Sequence, residues 1–304
     1  MHDYHLFGWR VQSALPLPEL VPWRGDARAP DLVIEVGAVP PVDPKLPSFS
    51  PALQICPTGV RLAIPAVATY WAEAGRRVIV EPVLPEDAAD IRVFLLGTVL
   101  AILCFQRGLL PLHASGVDIG GRVLLLSGVS GAGKSTLAAA FSARGYRLLS
   151  DDLCALEVGE GQPLRILPAF PRIKLWRDSA RQLQLPLDDL GRTREALEKY
   201  SVPLGEAKFQ PDALPPAHIV FLRTEPLPER RRSRRLVGAE ALRRYDLVYR
   251  WRLGMALGCD ALIFKGMASL IGAVPVVDVA RSEDLADLPA LIDRILTLVE
   301  TQNG

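Results

Sequence analysis

Short apolar runs broken by prolines and polar pairs mark the first third of the chain. Asp31-Leu-Val-Ile-Glu-Val36, Gly59-Val-Arg-Leu-Ala-Ile64 and Arg77-Val-Ile-Val-Glu81 have the composition and spacing of strands in a small antiparallel sheet. Thirteen of the 26 prolines fall within residues 1–90, so long helices are not expected there. The pattern predicts a β-rich N-terminal module over residues 1–89.

From Asp90 the pattern changes to alternating helix and strand. An apolar helix is expected through about Gln106, then strands over Leu112 to Ile119 and Arg122 to Ser127, meeting at the turn Gly120-Gly121. A glycine-rich loop follows directly. Lys134 to Ala143 reads as a helix closed by Gly145 at its C′ position, and Tyr146 to Ser150 as the next strand. Strand, loop, helix and strand make a βαβ unit. Leu236 to Leu257 and Asp284 to Glu300 read as amphipathic helices, with Val274 to Val279 a late strand between them. The predicted class is therefore α/β with a β-rich N-terminal module, and residues 90–304 form the second domain.

Composition narrows the function without naming it. The 304 residues are 49% hydrophobic and 23% charged, with a net charge of +1, the profile of a soluble globular chain with no electrostatic case for nucleic acid. Arginines number 29 and lysines only six, which draws attention to Lys134. The four cysteines lie far apart, without a CxxC pair or a histidine cluster, and are expected to be reduced core thiols. The opening MHDYHLFGWR lacks the basic and apolar regions of a signal peptide. The apolar stretch from Val93 to Phe105 falls short of the roughly 20 residues that span a bilayer. A buried helix and a cytoplasmic location, with no membrane partner, are expected.

The chemistry concentrates in Gly128-Val-Ser-Gly-Ala-Gly-Lys134-Ser135-Thr136, which fits the Walker A pattern GxxxxGK-S/T. Glycines let successive N–H groups converge on phosphate oxygens, and a helix starting there adds partial positive charge. Gly128, Ser130, Gly131, Ala132, Gly133, Lys134, Ser135 and Thr136 are thus the nucleotide-binding candidates. Lys134 would reach the β- and γ-phosphates, and the Ser135 hydroxyl would take a place on Mg²⁺. The cofactors implied are ATP and Mg²⁺.

Asp151 and Asp152 follow the next strand, at the sheet edge where open α/β folds bind ligands. One carboxylate could hold the metal while the other accepts the proton of an attacking hydroxyl. The pair could equally be a Walker B metal aspartate followed by a capping residue. His113, at the start of the preceding strand, is compatible with a catalytic role or with a satisfied core histidine.

The block Leu112-His-Ala-Ser-Gly-Val-Asp118, then LLLSGVSGAGKST, then Arg144-Gly-Tyr-Arg-Leu-Leu-Ser-Asp-Asp152 resembles the catalytic core of bacterial HPr kinase/phosphorylase. The order of histidine, Walker A loop and paired aspartates is that family's. The resemblance implies a P-loop kinase core related to phosphoenolpyruvate carboxykinase, with Asp151 as general base, Asp152 as the metal-side carboxylate and His113 orienting or tuning the base. The family's downstream glycine-containing signature is absent; Leu167-Pro-Ala-Phe-Pro-Arg-Ile-Lys-Leu-Trp176 stands there instead, which puts phosphorylase activity and HPr as substrate in doubt. With its β-rich N-terminal third, the chain looks more like the related lasso-peptide precursor kinases, which phosphorylate a C-terminal serine of a peptide.

Arg172 and Lys174, two apart, would face one side of an extended segment, toward phosphate, an acidic peptide end or solvent. Lys199 and Lys208 flank a Ser-Val-Pro-Leu loop and could close over the site or lie on the surface. The run Arg230-Arg-Arg-Ser-Arg-Arg235 reads as an exposed loop. The expected activity is transfer of the γ-phosphoryl group of ATP to a serine hydroxyl of a peptide or small protein. A nucleotide-dependent switch without a phosphorylated substrate and a small-molecule kinase of the same fold remain alternatives, as does homo-oligomerisation.

Overall fold

The computed structural model describes residues 1–159, 161–183, 185, 192–194, 197–225 and 233–301, and it is a mixed α/β assembly. Among the described residues there are four sheets. The N-terminal third forms the largest, with nine strands in the order Val21–Pro22, His2–Leu6, Trp9–Ser13, Leu32–Val36, Arg77–Pro82, Ala68–Glu73, Gly59–Ile64, Leu53–Cys56 and Ser48–Ser50. It is larger than the small antiparallel sheet expected, and it is mixed. Leu32–Val36 runs parallel to both its neighbours, because it follows Trp9–Ser13 by a crossover rather than by a hairpin.

The expected module boundary near Ala89 coincides with a helix start. Ala89–Phe94, a π turn over Leu95–Val99 and Leu100–Gln106 form one continuous helical stretch. It is long and apolar enough to cross a membrane, yet 61% of it is buried within the fold. Ile91, Val99, Leu100, Ile102 and Leu103 share one apolar cluster with Val11, Leu32, Val60, Tyr70 and Val78 of the nine-stranded sheet. The Tyr70 hydroxyl donates to Ile91 O at 2.9 Å. Sheet and helix thus hide each other's apolar faces.

The second large sheet has six strands, in the order Leu148–Ser150, Ala114–Asp118, Val123–Ser127, Pro216–Thr224, Val276–Arg281 and Ser233–Leu236. The three strands from Val123–Ser127 to Val276–Arg281 are parallel to one another. Alternation decides the layers. Val123 and Leu125 face a cluster with Ile263, Met267 and Leu270 of the helix Asp260–Ala273. Leu124 and Leu126 face Leu137 and Phe141 of Lys134–Ala143 and Leu291 and Ile295 of Leu288–Thr301. Helices on both faces explain why both faces of these strands carry apolar side chains.

Several expected elements change extent. Leu112 to Ile119 is two strands in two sheets, Leu110–Leu112 and Ala114–Asp118, broken at His113, whose N–H donates to Leu247 O at 2.6 Å instead of to a ladder. The strand expected over Tyr146 to Ser150 shortens to Leu148–Ser150, because Tyr146 N closes the preceding helix on Phe141 O while Gly145 sits at φ +94°. That is the glycine-closed helix end the sequence indicated.

The helix expected over Leu236 to Leu257 is instead a strand end, the short helices Gly238–Leu242 and Trp251–Ala256 and a 3₁₀ turn at Tyr245–Leu247. Arg250, at φ +55°, interrupts it. Ser233–Leu236 makes the Arg-rich run an edge strand at its C-terminal end rather than a loop; residues 230–232 lie outside the described residues. Cys104 and Cys154 are buried, Cys56 and Cys259 only partly, and all four are free.

Candidate functional site

The strand Val123–Ser127 delivers the chain into the glycine loop at the C-terminal edge of the six-stranded sheet. Gly128 is required by close approach: a Cβ there, at φ +141°, would lie 2.4 Å from Leu222 O. Gly133, at φ +90°, is the N-cap of Lys134–Ala143, and a Cβ on it would meet the Arg281 guanidinium at 2.8 Å. The loop is thereby pressed against the neighbouring strands, and the free N–H groups of the helix's first turn open onto a cleft.

That cleft is lined by Ser130, Gly131, Gly133, Lys134, Ser135, Thr136, His113 and Asp152, with Lys174, Trp176, Ser179, Lys199, Arg281 and Leu285 completing its walls. The structure therefore brings together most of the residues singled out in the sequence. Gly128 and Ala132 act from beneath, through their carbonyls: Gly128 O accepts from Lys134 Nζ at 2.8 Å and Ala132 O from Arg281 Nε at 2.7 Å.

Lys134 is buried and fully committed. Its ammonium donates to Gly128 O at 2.8 Å and Val129 O at 3.3 Å and contacts His113 Nε2 at 2.9 Å. Burial pushes its pKa down, although Asp152 and Asp151 oppose the shift. His113 Nδ1 lies 3.2 Å from Asp152 O. Burial first, then the Lys134 charge, lowers the His113 pKa. A neutral ring with its proton on Nδ1 satisfies both contacts, giving that proton to Asp152 O and accepting from Lys134 at Nε2. Tyr249 stands against this ring, 5.4 Å between centroids.

The two adjacent aspartates separate sharply. Asp151 is buried, and both its oxygens are occupied: Ser115 Oγ donates to Oδ1 at 2.6 Å and Lys174 N donates to Oδ2 at 2.9 Å. It braces the strand Ala114–Asp118 against Arg172–Trp176, in another sheet, and does not line the cleft. Asp152 does. Its φ of +73°, a left-handed conformation that aspartate tolerates better than most residues, turns its carboxylate outward. There Oδ2 accepts from Lys174 Nζ at 3.1 Å and Oδ1 lies 3.7 Å from His113 Nδ1. Burial alone would raise the Asp152 pKa, but Lys174, His113 and Lys199 outweigh it and hold the carboxyl well below the usual range.

Of the cationic candidates, Lys174 and Lys199 reach the cleft, and Lys199 also sits 5.9 Å from the ring centre of Trp176. Arg172 faces away from the cleft toward the N-terminal module, donating to Pro18 O at 2.9 Å. Lys208 ends an exposed 3₁₀ turn outside the cleft.

Sequence reasoning missed Ser115, Tyr249 and Arg281. Arg281 ends a strand at the ligand-binding edge of the sheet, and Ser115 lies in the block around His113, so both had a positional signal. Tyr249 had none.

No protein-family model matches the chain, and no curated protein sequence matches it. Among solved structures it is similar to the HPr(Ser) kinase/phosphatase from Coxiella burnetii, at 17% identity over 63% of this chain and 91% of that chain, with a TM-score of 0.35. A likeness at that level leaves the chemistry to the chain's own geometry.

Proposed function

We propose that the chain is a kinase that uses ATP and Mg²⁺ to phosphorylate a serine hydroxyl of a peptide or small protein. The observation that carries this reading is the meeting of a glycine loop, its lysine and an outward-turned carboxylate, Asp152, on one cleft. A nucleotide-binding loop can use such a carboxylate for its metal, so the reading turns on Asp152 also standing where an acceptor hydroxyl would meet the γ-phosphate.

The donor set fits magnesium bound mainly through phosphate and water. Ser135 offers a hydroxyl on the cleft, Asp152 is its sole carboxylate among the described residues, and no cluster of three metal-binding side chains occurs among them. Mg²⁺ characteristically keeps several waters and takes one or two protein ligands with the substrate's phosphates. When bound it neutralises charge developing on the phosphoryl oxygens.

The protein's own part is positioning. Lys134 exchanges its carbonyl partners for the β- and γ-phosphate oxygens, and the loop N–H groups hold the same phosphates. Asp152 accepts a hydrogen bond from the acceptor hydroxyl and aims it at the γ-phosphorus. The new bond joins that oxygen to phosphorus, the bond to the β–γ bridging oxygen breaks, the electron pair leaves with ADP, and the proton passes to Asp152. A carboxylate with so low a pKa is a weak base. In a loose phosphoryl-transfer transition state the proton leaves late, so orientation matters more than basicity. Asp152 is thus assigned the base role that the resemblance gives Asp151, and Asp151 becomes a positioning residue that fixes the strand ends on either side.

The test is mass spectrometry of serine peptides, beginning with a lasso-peptide precursor as the resemblance directs, after incubation with ATP and Mg²⁺. The wild type should add one phosphoryl group, and Asp152→Asn should add none while still binding nucleotide. Transfer that survives Asp152→Asn and is lost in a fully folded Asp151→Asn would return the base role to Asp151. Nucleotide binding without transfer to any acceptor would favour a switch.

A further inference from the structure

The cleft holds more positive charge than its glycine loop accounts for. Lys134, Lys174, Lys199 and Arg281 line it, and Asp152 is the sole carboxylate there among the described residues. Three of the chain's six lysines thus converge on one space, and their commitments differ. Lys134 is bonded to Gly128 O, Val129 O and His113, and Lys174 to Asp152. Arg281 donates to Ala132 O and Ser282 O. Lys199 is the exception: among the described residues its ammonium makes neither a hydrogen bond nor an ion pair, and it rests 5.9 Å from the centre of the Trp176 ring.

The local structure explains both its position and its freedom. Lys199 lies on the strand Leu197–Pro203, directly opposite Trp176 of the antiparallel partner Arg172–Trp176. Ile173, Leu175 and Val202 of this pair pack into the core that contains Leu137 and Phe141, so alternation leaves Lys174, Trp176 and Lys199 together on the other face. Trp176 is 47% exposed, and an aromatic face in water holds a cation only weakly. An ammonium held that loosely, beside a carboxylate already taken by Lys174, can move to a stronger anion. Its charge is felt at both reacting groups. Burial first, and Lys199 with it, lowers the Lys134 pKa; Lys174 and His113, then Lys199, hold the Asp152 carboxyl down against its burial. Lys199 therefore stands within electrostatic reach of the cation assigned to the β- and γ-phosphates and of the carboxylate assigned to the acceptor hydroxyl.

We propose that Lys199 is a catalytic residue: its ammonium leaves the Trp176 ring and pairs with the equatorial oxygens of the γ-phosphoryl group as that group is transferred. The inference rests on the kinase reading and adds to it a second cation, delivered from the wall formed by the strands Arg172–Trp176 and Leu197–Pro203 rather than from the glycine loop. Lys199 keeps its proton throughout, so the bonds made and broken are those already described. What it supplies is positive charge on the oxygens of the group in flight, the part an arginine supplied in cis plays in other phosphoryl-transfer sites. Lys134 gives up two carbonyls to reach phosphate, whereas Lys199 gives up only a ring face.

The deciding experiment uses ADP, Mg²⁺ and fluoroaluminate, a planar anion that takes the place of the group in transfer, and it needs no acceptor. Affinity of the full chain for ADP and Mg²⁺ is measured by calorimetry with and without fluoroaluminate. In the wild type fluoroaluminate should tighten ADP at least about tenfold, as a mimic of the transition state does. Lys199→Met, which keeps an apolar stem beside Trp176, should reduce that gain to within about twofold while affinity for ADP and Mg²⁺ alone stays unchanged. Lys199→Arg should keep most of the gain, which shows that the charge and not the fold is at stake. A gain that survives Lys199→Met would leave Lys199 as no more than a charge beside Asp152 and overturns the proposal. A wild type without any gain, an equal loss with arginine, or a loss of ADP affinity in the absence of fluoroaluminate overturns it as well. Failure of the kinase reading shows separately, as an absence of phosphoryl transfer to any acceptor with the gain and its dependence on Lys199 intact.

Discussion

The nine-stranded sheet and the six-stranded core that carries the cleft solve opposite problems. Among the described residues, no fully buried side chain before residue 110 carries a charge; Ser13, Gln54 and Thr98 are the buried polar groups there. In the core around the six-stranded sheet Asp118, Lys134, Asp151 and Asp278 are all buried. Burying a charge costs several kcal/mol unless it is compensated, and each of these is hydrogen-bonded or ion-paired: Asp118 by Arg147, Gln210 and the N–H of Gly121, Asp278 by Arg223 and Arg244, and Lys134 and Asp151 by the uncharged partners described above. One region keeps its charged groups out of its interior. The other accepts expensive groups so that a few of them can meet at a cleft, and variants in the two regions should therefore fail in different ways.

The largest separation should come from Lys134→Ala. Loss of the cation assigned to phosphate positioning should cut transfer by about a hundred- to a thousandfold, a size typical of electrostatic groups aimed at a transition state. Only His113 Nε2 and two carbonyls lose a partner, so the thermal midpoint should stay close to wild type. A steady-state assay beside a melting curve checks both, and a variant that unfolds while its residual activity persists would break the contrast. Leu100→Ala is the reverse case. Leu100 is 2% exposed at the centre of the helix under the nine-stranded sheet, and truncation there should cost about 2–5 kcal/mol by denaturant unfolding while nucleotide affinity below the midpoint stays unchanged.

Asp151→Asn tests the seam between the two behaviours. An amide keeps one acceptor for Ser115 or for Lys174 N but presents hydrogens where the other donor stands, so about 1–3 kcal/mol of stability should go. Transfer should fall as well, because Lys174 and its bond to Asp152 lie on the strand Asp151 anchors. Shortening the same side chain in Asp151→Ala should lower stability further without a matching further loss of nucleotide affinity, which separates a brace from a ligand.

What the sequence revealed follows the same divide. The glycine loop, its helix and the closing Gly145 were legible because each rests on local backbone geometry, within ten or twelve residues. The parallel strand Leu32–Val36, the break at His113 and the segmented stretch around Arg250 depend on partners far along the chain, such as Leu247 O for the His113 N–H, and no local pattern reports those. Residues 151 and 152 show the limit most clearly. The sequence marked the pair, but their division of labour turns on one left-handed φ at Asp152, and nothing in a run of two identical residues announces which will take it.

The smallest effect expected is in the pH dependence of stability, and it belongs to His113. Its folded pKa lies below the ordinary 6.5, chiefly from burial and then from Lys134, with Asp152 and Asp151 pulling the other way. As pH falls, the unfolded chain takes up the proton first, so the stability that comes with the neutral ring is complete above about 6.5 and is lost as pH drops through that value toward the lower folded one. His113→Gln should remove this contribution, leaving a shallower decline between pH 7 and 5 than the wild type shows. His5 and His218 are shifted in the same direction by burial and are common to both proteins, so the difference between the two curves isolates His113. Below pH 4 both proteins should lose the stability that comes with ionised Asp152, and the variant should lose less of it, because the His113 charge that helps Lys174 hold that carboxyl ionised against its own burial is gone. A wild-type curve no steeper than that of the variant between pH 7 and 5 would mean that His113 already carries its proton in the folded chain, and the hydrogen bond assigned from Lys134 to Nε2 would have to be withdrawn.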